Sequence, residues 1–387
     1  MGIAQDLRVA ARRWRSVRGG KSASSQAAVE RGALRSWFSS LEKLEHSGAI
    51  VSAKIYDVEA SQLPWLDTRL DLDDGEWVST FAAGRVVLSD PLDLWVGPQF
   101  QLWMRVGEGG AIFNGTRDSH SFRVEAPGRL YLAGYFPGQW GDDSGRISTS
   151  LNDYRKFRGG LTVVVIRWRS DAAAGLAALS AADGTGRLAA EQARIAKPVP
   201  APEGWRYLWM LGQSDIFRSA VEDERPCIAC HTERNVSILQ HDAAFDLTEG
   251  SNLRWSWKID ELPSMLREDT QASHDYLSVA VEFENGRDIT YTWSAELPAG
   301  TGYWCPLPTW KDREFHVVVR SGNNDLESWV DEERDLIADY RRYIGEPPRR
   351  VVRVWLIAVS IFQRRRGRAF FGKFVLQDKD GRRLEID

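Results

Sequence analysis

The chain has 387 residues, 43% of them hydrophobic and 27% charged, with a formal net charge of -4. That length excludes a single small module and leaves room for two or three domains, each with its own core. No stretch reaches the roughly 18 to 20 uninterrupted apolar residues of a membrane span, which excludes a helical membrane protein.

Residues 1–50 read as a basic helical arm. Ile3, Leu7, Ala10, Ala11, Trp14 and Val17 recur at helical spacing, with Arg8, Arg12, Arg13, Arg15, Arg18 and Lys21 opposed only by Asp6. Such a helix either packs on its own protein with a solvated basic face or makes a peripheral contact with an anionic membrane surface. No apolar run or small-residue cleavage site follows the basic residues, so the expected compartment is the cytoplasm. A second helix over 33–44 carries a core-type stripe of Leu34, Trp37, Phe38, Leu41 and Leu44.

From 51 to 170 the texture changes to short β-branched and aromatic runs, such as GEWVSTFAAGRVVLS and LTVVVIRW, separated by turn residues every 8 to 12 positions. This spacing predicts an antiparallel β-sandwich. Residues 171–203, alanine-rich and then proline-punctuated, read as a short helix and a linker. Strands return over 204–387, and a helical period over Leu326–Ile344 predicts one packed helix before Gly345 and Pro347-Pro348. The run VWLIAVSIF is apolar on both faces, as a central covered strand requires. The fold class expected is therefore all-β: two antiparallel β-sandwiches, with a helical N-terminal arm and one packed helix in the second sandwich.

The motif with the most specific chemistry is Cys227-Ile228-Ala229-Cys230-His231, the C-x-x-C-H spacing of covalent c-type haem. Two thiols would add to the vinyl groups, His231 would ligate the iron, and Met265, His241, His274 or His316 would have to supply the second axial ligand. Its setting, PCIACHTERNVSILQ, is β-type rather than helical, so the competing reading is small residues on a strand. Zinc would need further ligands beyond Cys227, Cys230 and His231, because Cys305 stands alone in the sequence. His274-Asp275 and Cys305 are the ingredients of nucleophilic catalysis, and Glu282, Glu284 and Asp288 those of a glycosidase carboxylate pair or of a cation site. No spacing ties them together. Trp255 with Trp257, and Tyr291 with Trp293, share strand faces that serve either as an inner core or as a sugar-stacking strip. No phosphate-cradling glycine loop occurs, so nucleotide chemistry is not expected.

Two stretches resemble known families. LRWSWKIDELPS, HDYLSVAVEFENG, ITYTWSAELP, SWVDEERDLIADYRRYIGEPP and VWLIAVSIF, within 253–378, closely resemble the family catalogued as domain of unknown function 3047. The resemblance implies a jelly-roll sandwich related to carbohydrate-binding modules and brings no activity with it. After the VWLIAVS strand this chain has the basic loop Gln363-Arg364-Arg365-Arg366-Gly367-Arg368, where many members are acidic. PWLDTRLDLDDGEWVSTFAAG and LYLAGYFPGQWGDDSGRIS, over about 64–150, are similar to the calcium-dependent galactophilic lectins of PA-IL type. That resemblance implies a calcium-bearing sugar loop at 137–145, with Asp142 and Asp143 as ion ligands and Gln139 and Trp140 beside them. Tyr135 stands where the lectins have a ligand aspartate, and Gln139 where they have a ligand threonine.

The expected function is thus a non-catalytic binder of glycan or of another polyol-bearing or anionic surface. Gln139, Trp140, Asp142, Asp143, Trp255, Trp257, Trp293 and Arg365 would make contact, with calcium as the candidate cofactor. The alternative is an enzyme with a cleft between the sandwiches, and a third reading is a haem protein through Cys227 and Cys230.

Overall fold

The computed structural model describes Ala11 and residues 22–42, 48–62, 65–113 and 117–386, so nearly all of the basic arm expected over 1–21 lies outside the described residues. The chain folds as two compact units, residues 13–198 with 209–213, and residues 199–208 with 214–387.

In the first unit, α1 (Ala23–Glu42) precedes β1 (Ile50–Glu59), β2 (Leu66–Leu72), β3 (Trp77–Ser89), β4 (Leu94–Val96), the one-turn α2 (Pro98–Gln101), β5 (Leu102–Val106), β6 (Ser119–Arg123), β7 (Gly128–Gly134), the one-turn α3 (Leu151–Tyr154) and β8 (Arg158–Trp168). One sheet has the order β1-β8-β3-β4 with β6 also on β3, and the other the order β2-β7-β5. All pairings are antiparallel. Gly84 (φ +114°) sits where β3 crosses β8 most closely, and a Cβ there would lie 2.4 Å from the Gly160 carbonyl. Only glycine fits such an approach.

The stretch expected to be a short helix and a linker holds two helices, α4 (Ala172–Ser180) and α5 (Arg187–Ala196), and both belong to this unit. Leu176, Leu179 and Leu188 pack with Leu34, Trp37, Phe38 and Leu41 of α1 over Phe81, Val164, Ile166 and Trp168 of the sheet. Polar anchors fix the layer: Trp37 Nε1 donates to Asp183 at 2.9 Å, and the buried Glu191 accepts from Ser119 and Ser121 at 2.6 Å. The alanine-rich part therefore forms helices packed on this unit.

The second unit contains β9 (Arg206–Tyr207), β10 (Phe217–Glu222), β11 (Arg225–Glu233), β12 (Val236–Asp246), β13 (Asn252–Glu261), β14 (Tyr276–Phe283), β15 (Asp288–Ser294), β16 (Gly302–Trp304), β17 (Glu314–Ser321), β18 (Trp329–Asp335), α6 (Leu336–Tyr343), β19 (Arg350–Val359), β20 (Arg366–Gln377) and β21 (Arg383–Ile386). A six-stranded sheet, β10-β11-β20-β13-β18 with β21 on β20, faces a seven-stranded one, β16-β17-β15-β14-β19-β12-β9. Their inner faces share one core that includes Trp255, Trp257, Leu277, Val279, Tyr291, Trp293, Val317, Leu356, Phe371 and Phe374. This is the interdigitated interior of a sandwich. β19 lies between β14 and β12, with Leu356, Ile357, Ala358 and Val359 all buried, as its two-sided apolarity requires.

Two features depart from expectation. The helix predicted over Leu326–Ile344 is confined to α6, because WVDEERD pairs as β18 along β13 from Asn252↔Asp335 to Lys258↔Trp329. A long-range ladder overrides a local helical period, and Asp335 then caps α6 by accepting from Ala338 N at 2.9 Å. The sheet is also not wholly antiparallel, since β15 and β17 run parallel, Asp288 beside Glu314 and Thr290 beside His316. The crossover between them, 295–313, contains β16 and Cys305.

Candidate functional site

Alternation along β13 sends Leu253, Trp255, Trp257 and Ile259 into the core and Arg254, Ser256, Lys258 and Asp260 to the opposite, outer face. The register with β18 places Glu333, Asp331 and Trp329 beside Arg254, Ser256 and Lys258 on that face. Arg254 meets Glu333 at 2.8 Å, and Lys258 Nζ meets Glu222 at 2.7 Å and Asp223 at 2.8 Å. Asp223 and Glu222 hold the Lys258 ammonium firmly protonated, and Lys258 in turn lowers the Asp223 carboxyl. The half-buried Trp329 donates Nε1 to Asp223 at 3.1 Å and carries the Arg225 guanidinium 5.3 Å from its ring centre. Two recesses open here. One of about 520 Å³ is lined by Arg254, Ser256, Asp331, Glu332, Glu333 and Lys373. The other, of about 670 Å³, is lined by Glu203, Ala220, Cys227, Gly372 and again Lys373. A Cβ at Gly372 would lie 2.2 Å from Ser256 Oγ, so this floor admits no larger residue without movement.

On the seven-stranded sheet the non-core face is polar yet buried. Tyr276, Asp288, Thr290, Glu314 and His316 are at most 4% exposed. Tyr276 OH donates to Glu314 Oε1 at 2.8 Å, and Thr290 Oγ1 lies 2.8 Å from Asp288 and 3.3 Å from Glu314. Tyr303 stacks on His316 at 4.9 Å, and His274 meets His316 edge-on at 4.9 Å. His274 Nδ1 is 2.6 Å from the Glu268 carbonyl, a contact that assigns the proton to Nδ1 and leaves Nε2, 3.3 Å from Cys305 Sγ, as an acceptor. Burial, then the neighbouring His316, pulls His274 down to about 3. Burial and then the Glu314 charge push the Cys305 thiol well up. For the two adjacent carboxyls the directions diverge: burial and Glu314 raise Asp288, while His316 and the hydroxyl of Tyr276 outweigh burial and lower Glu314. His274 and Cys305 are thus brought together, but as neutral imidazole and neutral thiol, 0% and 1% exposed. An activated nucleophile needs the opposite protonation and an open approach.

The other sequence-predicted residues fall as follows. Glu282 lies opposite Asp288 but is ion-paired to Arg353 at 2.8 Å, and Glu284 turns to the Arg349 amide, so they form no glycosidase pair. Trp255, Trp257 and Trp293 are 0 to 2% exposed in the core, which removes them as a sugar-stacking strip. CIACH lies on β11, where Cys230 points into the core while Cys227 and His231 take the other face. A porphyrin needs both thiols and the histidine on one side, so these residues do not fit covalent haem.

In the 137–145 loop three of the four residues expected around calcium, Gln139, Trp140 and Asp142, are engaged within the protein. Gln139 accepts from Tyr154 and, through its carbonyl, from Tyr135. Trp140 is buried against Trp65, Trp103 and Tyr135. Asp142 accepts from Ser144 and pairs with Arg146 at 2.9 Å, which together hold its carboxyl down to about 2. Its counter-cation is a guanidinium. Asp143 fixes the turn through its carbonyl, which accepts from Ile112 N at 2.9 Å. Arg365 is exposed. Glu314 and Tyr276 were not singled out by sequence reasoning; the usable signal is alternation, His274-x-Tyr276 entering β14 and Glu314-x-His316 opening β17.

Residues 203–375 match the family described as "Protein of unknown function (DUF3047)", a span that begins upstream of the motifs carrying the resemblance. None of the curated proteins matches the chain. Among solved structures, the EclA N-terminal domain, a PllA-like lectin, is similar at 17% identity and a TM-score of 0.23, over 31% of this chain and 98% of that one. TmCBM61, in complex with β-1,4-galactotriose, is similar at 11% identity and a TM-score of 0.25, over 46% of this chain and 90% of that one. The xyloglucanase domain of NopAA, a type three effector from Sinorhizobium fredii, in complex with cellobiose, is similar at 10% identity and a TM-score of 0.27, over 46% of this chain and 95% of that one. No helix among the described residues is long and apolar enough to cross a membrane.

Proposed function

We propose that the protein is a non-catalytic binder of glycans or chemically similar polyol chains, and that the outer face of the six-stranded sheet is its contact surface. The carrying observation is the pair of recesses joined at Lys373, with Arg254, Ser256, Asp331 and Glu333 in one of them and the half-buried Trp329 ring on the same face. Sugar hydroxyls are matched by cationic donors beside carboxylate acceptors, and sugar C–H faces by an aromatic plane. Recess volumes of several hundred Å³ suit a few sugar residues. The Arg254–Glu333 pair on this face is water-exposed and exchanges its partners for hydroxyls at small cost.

The test is calorimetry of the full chain with β-1,4-galactotriose, cellobiose and a wider oligosaccharide panel. Saturable binding that weakens at least tenfold in Trp329→Ala and in Asp331→Asn supports this surface. Absence of binding across the panel, or binding unchanged in both variants, overturns it.

A further inference from the structure

The buried cluster on the other sheet has donors of a kind that a hydrogen-bonded core does not require. We propose that His274, Cys305, Glu314 and His316 form a closed four-coordinate site for a divalent transition ion, zinc foremost. Their donor atoms all lie within 4.8 Å of one another. Two of the donor-to-donor distances, Cys305 Sγ to His274 Nε2 and His316 Nε2 to Glu314 Oε1, are 3.3 Å. Zinc bonds of about 2.0 Å to nitrogen and 2.3 Å to sulfur put neighbouring tetrahedral donors about 3.5 Å apart. These two edges are therefore close to those of a filled site, and the remaining ones, none above 4.8 Å, require only side-chain adjustment.

His316 supplies the independent observation. It is 0% exposed, and neither ring nitrogen has a hydrogen-bond partner; the 3.3 Å approach of Nε2 to Glu314 lacks hydrogen-bond alignment. An imidazole buried without a hydrogen bond is costly, and coordination removes that cost. The supporting contacts have the form that metal ligands take. The Glu268 carbonyl fixes the His274 tautomer so that Nε2 points into the cluster, and Tyr276 orients Glu314.

Charge also balances. Coordination replaces the Cys305 S–H bond by a sulfur–metal bond and releases one proton to solvent; thiolate and carboxylate then neutralise the divalent ion among side chains that are at most 4% exposed. Soft sulfur with two imidazoles selects zinc over magnesium or calcium. No position is left open for substrate, so the site is structural: it ties the loop before β14 and the crossover after β16 to β17.

The experiment uses untagged full-length protein, purified without metal resin, and measures metal by mass spectrometry. One equivalent of zinc per chain is expected. Replacement by cobalt is expected to give tetrahedral d–d absorption and a thiolate-to-cobalt charge-transfer band, with that band lost in Cys305→Ser. Substoichiometric metal in the wild-type protein, together with no uptake of cobalt while the far-ultraviolet dichroism stays native, overturns the proposal. So does a charge-transfer band that survives in Cys305→Ser. The wild-type measurement decides even where a variant fails to fold.

Discussion

The two sheets of the C-terminal unit each have one face outside their shared core, and those faces obey different rules. On the six-stranded sheet Arg254 and Glu333 pair with side chains 50% and 54% exposed, so water competes for both and the pair is worth little. On the seven-stranded sheet Tyr276, Thr290, Glu314 and His316 are at most 4% exposed, and each missing partner there costs its full desolvation. A polar group shared with water is free to trade its partner for a ligand hydroxyl. A polar group without water is committed to its neighbours, and accepts a newcomer only if that newcomer brings charge or coordination of its own.

The largest effect expected from this contrast is in stability. Glu314→Ala strips the buried Tyr276 hydroxyl of its acceptor, leaves Thr290 only its bond to Asp288, and should cost about 3 kcal/mol, whereas Glu333→Ala on the outer face should cost less than about 0.5 kcal/mol. Urea unfolding of the two variants measures this directly through the shift in midpoint. Equal shifts would mean that the seven-stranded face is wetter than its burial implies.

A smaller effect sharpens how the buried face is closed. Asp275 accepts from the amides of Phe362 at 2.9 Å and Gln363 at 2.5 Å, and Gln363 in turn reaches the Ser273 carbonyl at 2.9 Å. These bonds tie the loop before β14 to the turn after β19. Asp275→Ala should cost about 2 kcal/mol and speed amide exchange at residues 362 and 363 specifically. Exchange that rises uniformly across the unit instead would make Asp275 a contributor to global stability only.

Much of the sandwich architecture is legible in the sequence because its information is local: alternation in WSWKID and turn residues at regular spacing mark strands wherever those strands go. The buried cluster is not legible, because it depends on which strands are neighbours. Asp288 and Glu314 meet through a parallel pairing across a crossover, an arrangement that turn spacing does not encode. CIACH shows the converse, since its spacing is local and specific, but the strand period of two places its cysteines on opposite faces. For the WVDEERD run both a helical and a strand period are present, and β13 decides between them.

The smallest expected effect concerns the outer face and the pair that most resembles a buried one. Lys258 Nζ contacts both Glu222 and Asp223, its side chain only 10% exposed, while Asp223 remains 57% exposed. The Lys258 hydrogen bond lowers the Asp223 carboxyl below its ordinary value. Because the folded-state value is the depressed one, the stability this carboxylate contributes is present above about pH 3.9 and is lost as pH falls through the lowered value. Lys258→Met keeps an unbranched side chain beside Phe370, its partner in the β13–β20 ladder, and removes the ammonium. Asp223, followed by side-chain carboxyl resonance, should then titrate at a higher pH than in the wild type, while unfolding at neutral pH changes little. An Asp223 titration that does not move would show that water, not Lys258, sets this carboxylate. The outer face would then be looser than its ion pairs indicate, with its groups more readily available to a ligand.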